Sequence, residues 1–271
     1  LMFQKTTAIK KILALDKRIK AIQGGTSAGK TFGVLPILIN RAIRNPLTEI
    51  SVVAESVPHL KRGALKDFKK IMNITNRWMP DHWNATDKKY TFKDGGYIEF
   101  FSADDDAKLR GARRDVLYMN ECNNMTLHAY TELAARTKGD VYLDWNPTSE
   151  FWFHDEVQQD EDVDFVILTY KDNEACPQSA VDFIEKAKAK SVKSKYWANW
   201  YKVYGLGQVG SLQGSVFENW ITGEFNPDWL PTIYGQDYGY SNDPTTLIEV
   251  AIDKKHKKIY AKELLYKTKL T

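Results

Sequence analysis

Cysteine is nearly missing from this chain of 271 residues, and the two present, Cys122 and Cys176, cannot build a disulfide framework or by themselves a zinc site. The five histidines, at positions 59, 82, 128, 154 and 256, are dispersed without metal-ligand spacing. Long hydrophobic runs are missing too. The longest, Val34-Leu-Pro-Ile-Leu-Ile39, is interrupted by a proline and falls far short of the ~20 residues a membrane span needs. The N-terminal segment carries Lys5, Lys10 and Lys11 without a long apolar core, so no signal peptide is expected and a reducing cytoplasm is the expected compartment. There is no internal repeat and no low-complexity tract. With 43% hydrophobic and 27% charged residues, the composition excludes a disordered tail and matches a soluble globular protein. The length favours one large domain, or one and a half.

A strong net charge is also lacking: the balance is only +3, too small to establish a nucleic-acid partner. Its distribution is more informative. Residues 1–20 carry six lysines or arginines against Asp16, and residues 253–271 carry seven against Asp253 and Glu263. Residues 150–164 hold seven carboxylates and no Lys or Arg. Such segregation suits a protein that steers a polyanion, although solvated helix faces give the same pattern.

Residues 1–170 alternate strand-like and helix-like stretches, the pattern of an α/β domain with a mainly parallel sheet. Strands are expected at 19–23, 49–54, 116–119, 141–144 and 165–170. A helix is expected from the glycines after the first strand through about Arg41, and another from His59 to about Ile74. Asp94-Gly-Gly96 between two strand-like runs predicts a hairpin. From about 177 to 203 the pattern is helical, and Gly205, Gly207, Gly210 and Gly214 then punctuate a linker. The remainder predicts an antiparallel meander that stops about 40 residues in, short for a unit burying its own core. The boundaries expected are a first α/β domain over 1–175, a helical and Gly-rich linker region over 176–228, and part of a further domain over 229–271.

Gly24-Gly25-Thr26-Ser27-Ala28-Gly29-Lys30-Thr31 fits G-x-x-x-x-G-K-[ST] in full, with a strand before it and a helix after it. The glycines let consecutive amides converge on phosphate oxygens, and the helix that follows presents its positive end. Lys30 is placed to reach the β and γ phosphates of ATP, and the Thr31 hydroxyl to ligate Mg²⁺. A P-loop hydrolase also needs an acidic strand end, which Asp115-Val-Leu-Tyr-Met-Asn120-Glu121 supplies. Position 120, ordinarily an Asp that holds Mg²⁺ through water, is Asn, which still accepts a hydrogen bond but brings no charge. Glu121 would polarise the attacking water as general base. In Lys108-Leu-Arg-Gly-Ala-Arg-Arg114, Arg110 is the guanidinium expected to neutralise charge on the transferred phosphate. Asn146, in Asp144-Trp-Asn-Pro147, is placed to sense the γ-phosphate, although the same residues suit an ordinary turn. Asp237 puts a carboxylate inside a strand, where burial is costly without a partner or metal, with Asp243 and Glu263 as its only nearby companions, although a turn Asp at a strand end fits the same residues. Cys122 is expected behind the strand at 116–119, and the tryptophans are expected to fill core rather than stack on bases.

With these motifs in order, the chain resembles the large terminase subunit of tailed bacteriophages. The P-loop, Val53-Ala-Glu-Ser-Val-Pro-His-Leu-Lys-Arg62, Arg110-Gly111 before Tyr118-Met-Asn-Glu-Cys-Asn123, and Asp144-Trp-Asn-Pro147 carry the likeness, with Thr169-Tyr-Lys-Asp-Asn173, Tyr204-Gly-Leu-Gly207 and Gly235-Gln-Asp-Tyr-Gly239. The resemblance implies an ASCE-type P-loop ATPase followed by the start of an RNase H-like nuclease, with ATP and Mg²⁺ at the first and Mg²⁺ or Mn²⁺ at the second. It implies Asn146 as the coupling residue, Thr31 and Asn120 toward the ATPase metal, and Asp237 as first nuclease ligand. It also implies double-stranded DNA, a portal protein and a small terminase subunit as partners. Several copies would dock at the portal vertex of a procapsid in the host cytoplasm, a monomer in free solution being compatible with this. Because the chain stops at Thr271, DNA cleavage by it alone is not expected. A helicase-like motor and a nucleotide-binding assembly module without turnover stand as rivals.

Overall fold

The computed structural model describes residues 5–104, 109–111, 113–210, 221–224, 227, 229–239 and 244–267. Residues 1–213 and 214–271 form two compact units. Of the positions singled out above, Lys108, Gly214 and Asp243 lie outside the described residues.

In the first unit an eight-stranded sheet runs in the order β3-β4-β5-β2-β6-β7-β1-β8. Its strands are β1 (Ile19–Gly24), β2 (Glu49–Ala54), β3 (Trp83–Asn84), β4 (Lys89–Thr91), β5 (Tyr97–Ser102), β6 (Val116–Asn120), β7 (Val141–Trp145) and β8 (Val163–Leu168). From β5 to β8 every pairing is parallel, and β3 and β4 add an antiparallel edge. Strands β1, β6 and β7 are buried at every position, as expected where both faces of a parallel sheet are covered.

Two hydrophobic layers do the covering. Helices α1 (Thr7–Leu13), α2 (Lys30–Arg44) and α4 (Ala64–Ile74) pack Ile12, Leu35, Leu38, Ile39, Phe68 and Met72 on one face. Helix α5 (Leu127–Ala135) and the π-helical turn Phe153–Val157 pack Leu133, Phe153 and Val157 on the other. Strand periodicity decides which side chains go where. Val116 and Tyr118 of β6 and Tyr142 of β7 join the α2 layer, while Leu117, Met119, Leu143 and Trp145 join the α5 layer. By the same alternation Asn120 and Asp144 share the α2 face. Cys122 sits fully buried in the α5 layer.

Three local expectations shift. The helix expected over 59–74 is two helices, α3 (Val57–Arg62) and α4, broken at Gly63, whose φ of −99° and ψ of −114° are not helical. A Cβ on Gly63 would come within 3.1 Å of the His59 carbonyl and 3.3 Å of Asn120 Oδ1, so glycine lets this bend pass close to the end of β6. The strand expected at 165–170 starts and ends two residues earlier, because Thr169 caps a 3₁₀ turn through a reciprocal bond with Asp172. The helix expected to end near Arg41 runs on to Arg44. The 177–203 segment folds as α6 (Gln178–Ser191) and α7 (Lys195–Trp200), continued by a π-helical turn at Tyr201–Gly205. Phe183, Trp197 and Trp200 meet edge to face along it, and Tyr204 packs tilted against Trp200.

The second unit is an antiparallel meander of β9 (Thr232–Asp237), β10 (Thr245–Asp253) and β11 (Lys258–Lys267), with β10 in the middle.

Candidate nucleotide site

The glycine-rich segment follows β1, which is flanked by β7 and β8. Its turn reaches α2 through Ser27 at φ 56° and Gly29 at φ 80°, both left-handed. Asn173 Nδ2 donates to the Ser27 carbonyl at 2.8 Å and helps hold that conformation. The first-turn amides of α2 have no carbonyl four residues back within the helix, which leaves donors pointing out of its N-terminus.

The loop is also gripped from behind by the turn that follows α7. Gly25 N donates to the Leu168 carbonyl at 3.1 Å and Thr26 N to the Tyr204 carbonyl at 2.9 Å. A Cβ on Gly25 would lie 2.2 Å from that Tyr204 oxygen, so only glycine allows the approach. One residue upstream, Gln23 Nε2 donates to the Gly207 carbonyl at 2.7 Å. The Thr169–Asn173 and Tyr204–Gly207 segments, linker signals in the sequence, thus both touch the P-loop directly.

Lys30 Nζ donates to the Gly24 and Gly25 carbonyls at 3.0 and 3.1 Å and to Asn146 Oδ1 at 2.7 Å. Desolvation pushes its pKa down, and the charges of Asp144 and Glu121 oppose that shift. Burial pushes the pKa of the Tyr118 hydroxyl well up, and the Thr31 side chain beside it opposes that shift. Tyr118 in turn donates to Asp144 Oδ1 at 2.9 Å, and Asn120 Nδ2 donates to the same oxygen at 2.9 Å. The backbone of Glu121 adds a third bond to it at 3.1 Å.

Glu121 holds φ 55° and ψ 51°, the left-handed region that an ordinary residue enters at a cost. The bend ends β6 and turns the chain into the Cys122–Asn124 turn. Partial desolvation of the Glu121 carboxyl raises its pKa, as does the Asp144 charge, while Lys30 lowers it.

The structure therefore gathers Gly24 to Thr31, Asn120, Glu121 and Asn146 at the carboxyl ends of adjacent parallel strands, where open α/β sheets bind ligands. It adds Tyr118 and Asp144, which the sequence reading did not select as site residues. Thr31, Asn120 and Asp144 present oxygen donors and one buried carboxylate, a set that fits a hard divalent cation such as Mg²⁺.

Two further candidate residues are exposed. Arg110 is exposed, with its Nε 3.9 Å from Glu132 of α5, and no hydrogen bond or ion pair among the described residues joins it to the P-loop. Arg114, four residues on, is buried: its Nε donates to Ser51 Oγ at 3.0 Å and its Nη1 to the Leu133 carbonyl at 3.0 Å. Asp237 is exposed at the end of β9, paired in register with Thr246, the strand-end placement that the sequence left open beside a buried one. The three-stranded meander leaves this strand end open to solvent, so no burial cost arises. Among the described residues, no group of three or more His, Cys, Asp or Glu is gathered for a metal.

Residues 16–207 match the family described as phage terminase large subunit. The chain belongs to that family. The large terminase of a thermophilic bacteriophage superposes with a TM-score of 0.63 at 17% identity, over 95% of this chain and 68% of that one. Structures of that phage protein with ADP and with ATP-γ-S match at TM-scores of 0.62 and 0.57. The ATPase domain of the large terminase from Thermus phage P74-26 matches at 0.54 and 11% identity, over 74% of this chain and 92% of that one. No curated protein matches the chain. As in those terminases, the first unit is a mixed α/β fold on a mainly parallel sheet, the P-loop fold. No described helix of this terminase is long and apolar enough to cross a membrane.

Proposed function

We propose that this terminase subunit hydrolyses ATP to drive double-stranded DNA into a procapsid. The observation that carries the reading is the convergence of Lys30, Thr31, Asn120, Glu121 and Asn146 around one P-loop. In this reading the amides of Gly24 to Thr31 cradle the phosphates, and Lys30 leaves its carbonyl partners to neutralise the β and γ oxygens. Thr31 and Asn120 would hold Mg²⁺, which would draw charge off the phosphate oxygens. Glu121, its pKa raised, takes the proton of the attacking water. Asn146 shares Lys30 with the γ-phosphate, so hydrolysis returns the lysine to it and turns loss of the phosphate into a change at the end of β7. The exposure of Arg110 suits a finger offered to the nucleotide of a neighbouring copy rather than its own.

DNA contacts in this reading are to phosphates and independent of sequence, hence strongly weakened by salt. The further partners are a portal protein and a small terminase subunit, with several copies assembled at the portal vertex in the host cytoplasm. The domain boundaries proposed are 1–175, 176–228 and 229–271. Asp237 in the last of these is proposed as the first ligand for Mg²⁺ or Mn²⁺ in an RNase H-like nuclease.

The test is steady-state ATP hydrolysis with Mg²⁺, with and without linear duplex DNA, beside Lys30→Ala and Arg110→Ala. Turnover abolished by Lys30→Ala, reduced by Arg110→Ala and rising in specific rate with protein concentration is expected. Nucleotide binding with no turnover above the Lys30→Ala background would replace this reading with that of an assembly module.

A further inference from the structure

A P-loop ATPase ordinarily carries, at the end of the strand bearing its catalytic glutamate, an Asp that reaches the metal through water. Here that position is Asn120, one formal charge short. The missing charge stands on the neighbouring strand. Asp144 is paired in parallel register with Asn120, and strand alternation turns both side chains to the face that carries α2. It is only 1% exposed.

The surroundings of Asp144 are unusual for a residue whose purpose is to hold the fold together. Tyr118, Asn120 and the Glu121 amide all donate to Oδ1, and no hydrogen bond among the described residues ends on Oδ2. A buried carboxylate without a compensating cation is costly. Lys30 feels its charge, yet donates instead to two carbonyls and Asn146, and no ion pair among the described residues joins the two. The Tyr118 hydroxyl that donates to the same carboxylate also feels the side chain of Thr31, the hydroxyl that the P-loop motif assigns to the metal. Asp144 thus touches Asn120 directly and shares Tyr118 with it, with one oxygen left over.

We propose that Asp144 replaces the missing acid: from β7 it supplies the negative charge toward the ATPase metal that Asn120 lacks. Asn120 then acts as a positioning residue, its amide donating to Oδ1 and orienting the carboxylate. The inference rests on the ATPase reading above and assigns the metal charge within it to a residue on the adjacent strand.

The experiment measures metal affinity rather than turnover. Mn²⁺ is titrated by electron paramagnetic resonance into the 271-residue chain saturated with ATP-γ-S, and ATP-γ-S affinity is measured separately in Mg²⁺ and in EDTA. Wild type should bind the nucleotide more tightly in Mg²⁺. Asp144→Asn should lose Mn²⁺ affinity by about tenfold or more, in the range found when groups supporting a metal are removed. Its affinity in EDTA should stay close to wild type. Moving the acid back, in Asn120→Asp/Asp144→Asn, should restore Mn²⁺ affinity.

Wild-type Mn²⁺ binding by Asp144→Asn would overturn the proposal, and so would an equal loss of nucleotide affinity in EDTA, the mark of a merely structural residue. If circular dichroism shows Asp144→Asn unfolded, the double variant decides: folded with Mn²⁺ affinity restored supports the exchange, folded without it refutes it. A wild-type chain that binds ATP-γ-S identically in Mg²⁺ and EDTA would instead remove the metal-dependent ATPase reading beneath it.

Discussion

Two arginines four residues apart, Arg110 and Arg114, should fail in opposite ways when replaced by alanine. Arg114 is 3% exposed, bonded to Ser51 Oγ and the Leu133 carbonyl, and Ser51 Oγ in turn donates to Glu99 at 2.6 Å. Arg114→Ala would take a buried positive charge away from Glu99 and a donor away from Ser51, while the Leu133 carbonyl keeps its bonds from Thr137 Oγ1 and the Arg136 amide. Removing one partner of a buried charged set costs about 3–5 kcal/mol. At about 2–4 °C per kcal/mol for a domain of this size, the melting temperature should fall by roughly 10 °C. Arg110 is 60% exposed and faces Glu132 at 3.9 Å, while Arg136 holds the same carboxylate at 2.8 Å. An exposed pair of that kind contributes about 0–1 kcal/mol, so Arg110→Ala should melt within a few degrees of wild type while losing ATPase activity. Differential scanning fluorimetry beside steady-state ATPase assays separates the two. Arg114→Ala that melts like wild type yet loses turnover would refute the assignment and move the finger to Arg114.

Gly25→Ala should displace the P-loop, because the new methyl meets the Tyr204 carbonyl at 2.2 Å. A stability loss of about 1–3 kcal/mol by chemical denaturation and weaker binding of fluorescent ATP are expected, and unchanged affinity would contradict the close approach. Phe68→Ala should cost about 3–5 kcal/mol, since the ring is fully buried with Phe100 at 5.0 Å and Tyr90 at 5.7 Å, measured by urea titration. Asp115 accepts a bond from the Glu49 amide at 2.9 Å, and with help from Lys138 this holds its pKa below the ordinary aspartate range. Its contribution is therefore present above that range and lost as pH falls through the lowered value. Asp115→Asn should flatten the acid side of a stability–pH curve, and an unaltered slope would exclude the effect.

Most of the frame was legible because it is written locally. A P-loop needs a strand, glycines at fixed offsets and Lys-Thr at the start of a helix, all within about a dozen consecutive residues. Buried strands such as 116–119 and 141–144 read as short apolar runs between turns. The order of those strands is not local. Asp144 was visible in the sequence as part of Asp-Trp-Asn-Pro, but its nearness to Asn120 exists only once β6 and β7 lie in register. Arg114 and Arg110 look equivalent in a basic segment, and only the bridge that pairs Arg114 with Thr137 carries one of them inside. Asp237 reads as strand-interior or strand-end alike, because whether a strand position is buried depends on what covers the sheet. The break at Gly63 was hidden for a related reason: the helical periodicity continues through it, while the crowding there comes from the His59 carbonyl and from Asn120, the latter 57 positions away.

The grip of Tyr204 on the P-loop has a mechanical consequence. The chain that leaves the first unit passes behind the loop at three successive places, opposite Thr26, Gly25 and Gln23, before the second unit begins at residue 214. Close-packed backbone contacts yield little, so they behave as a lever with almost no slack. A shift of a few tenths of an ångström in the loop has no void to dissipate into at Gly25 and is handed to the segment at 204–207. A displacement of the loop at Gly25 is therefore felt at 204–207, near the end of the first unit.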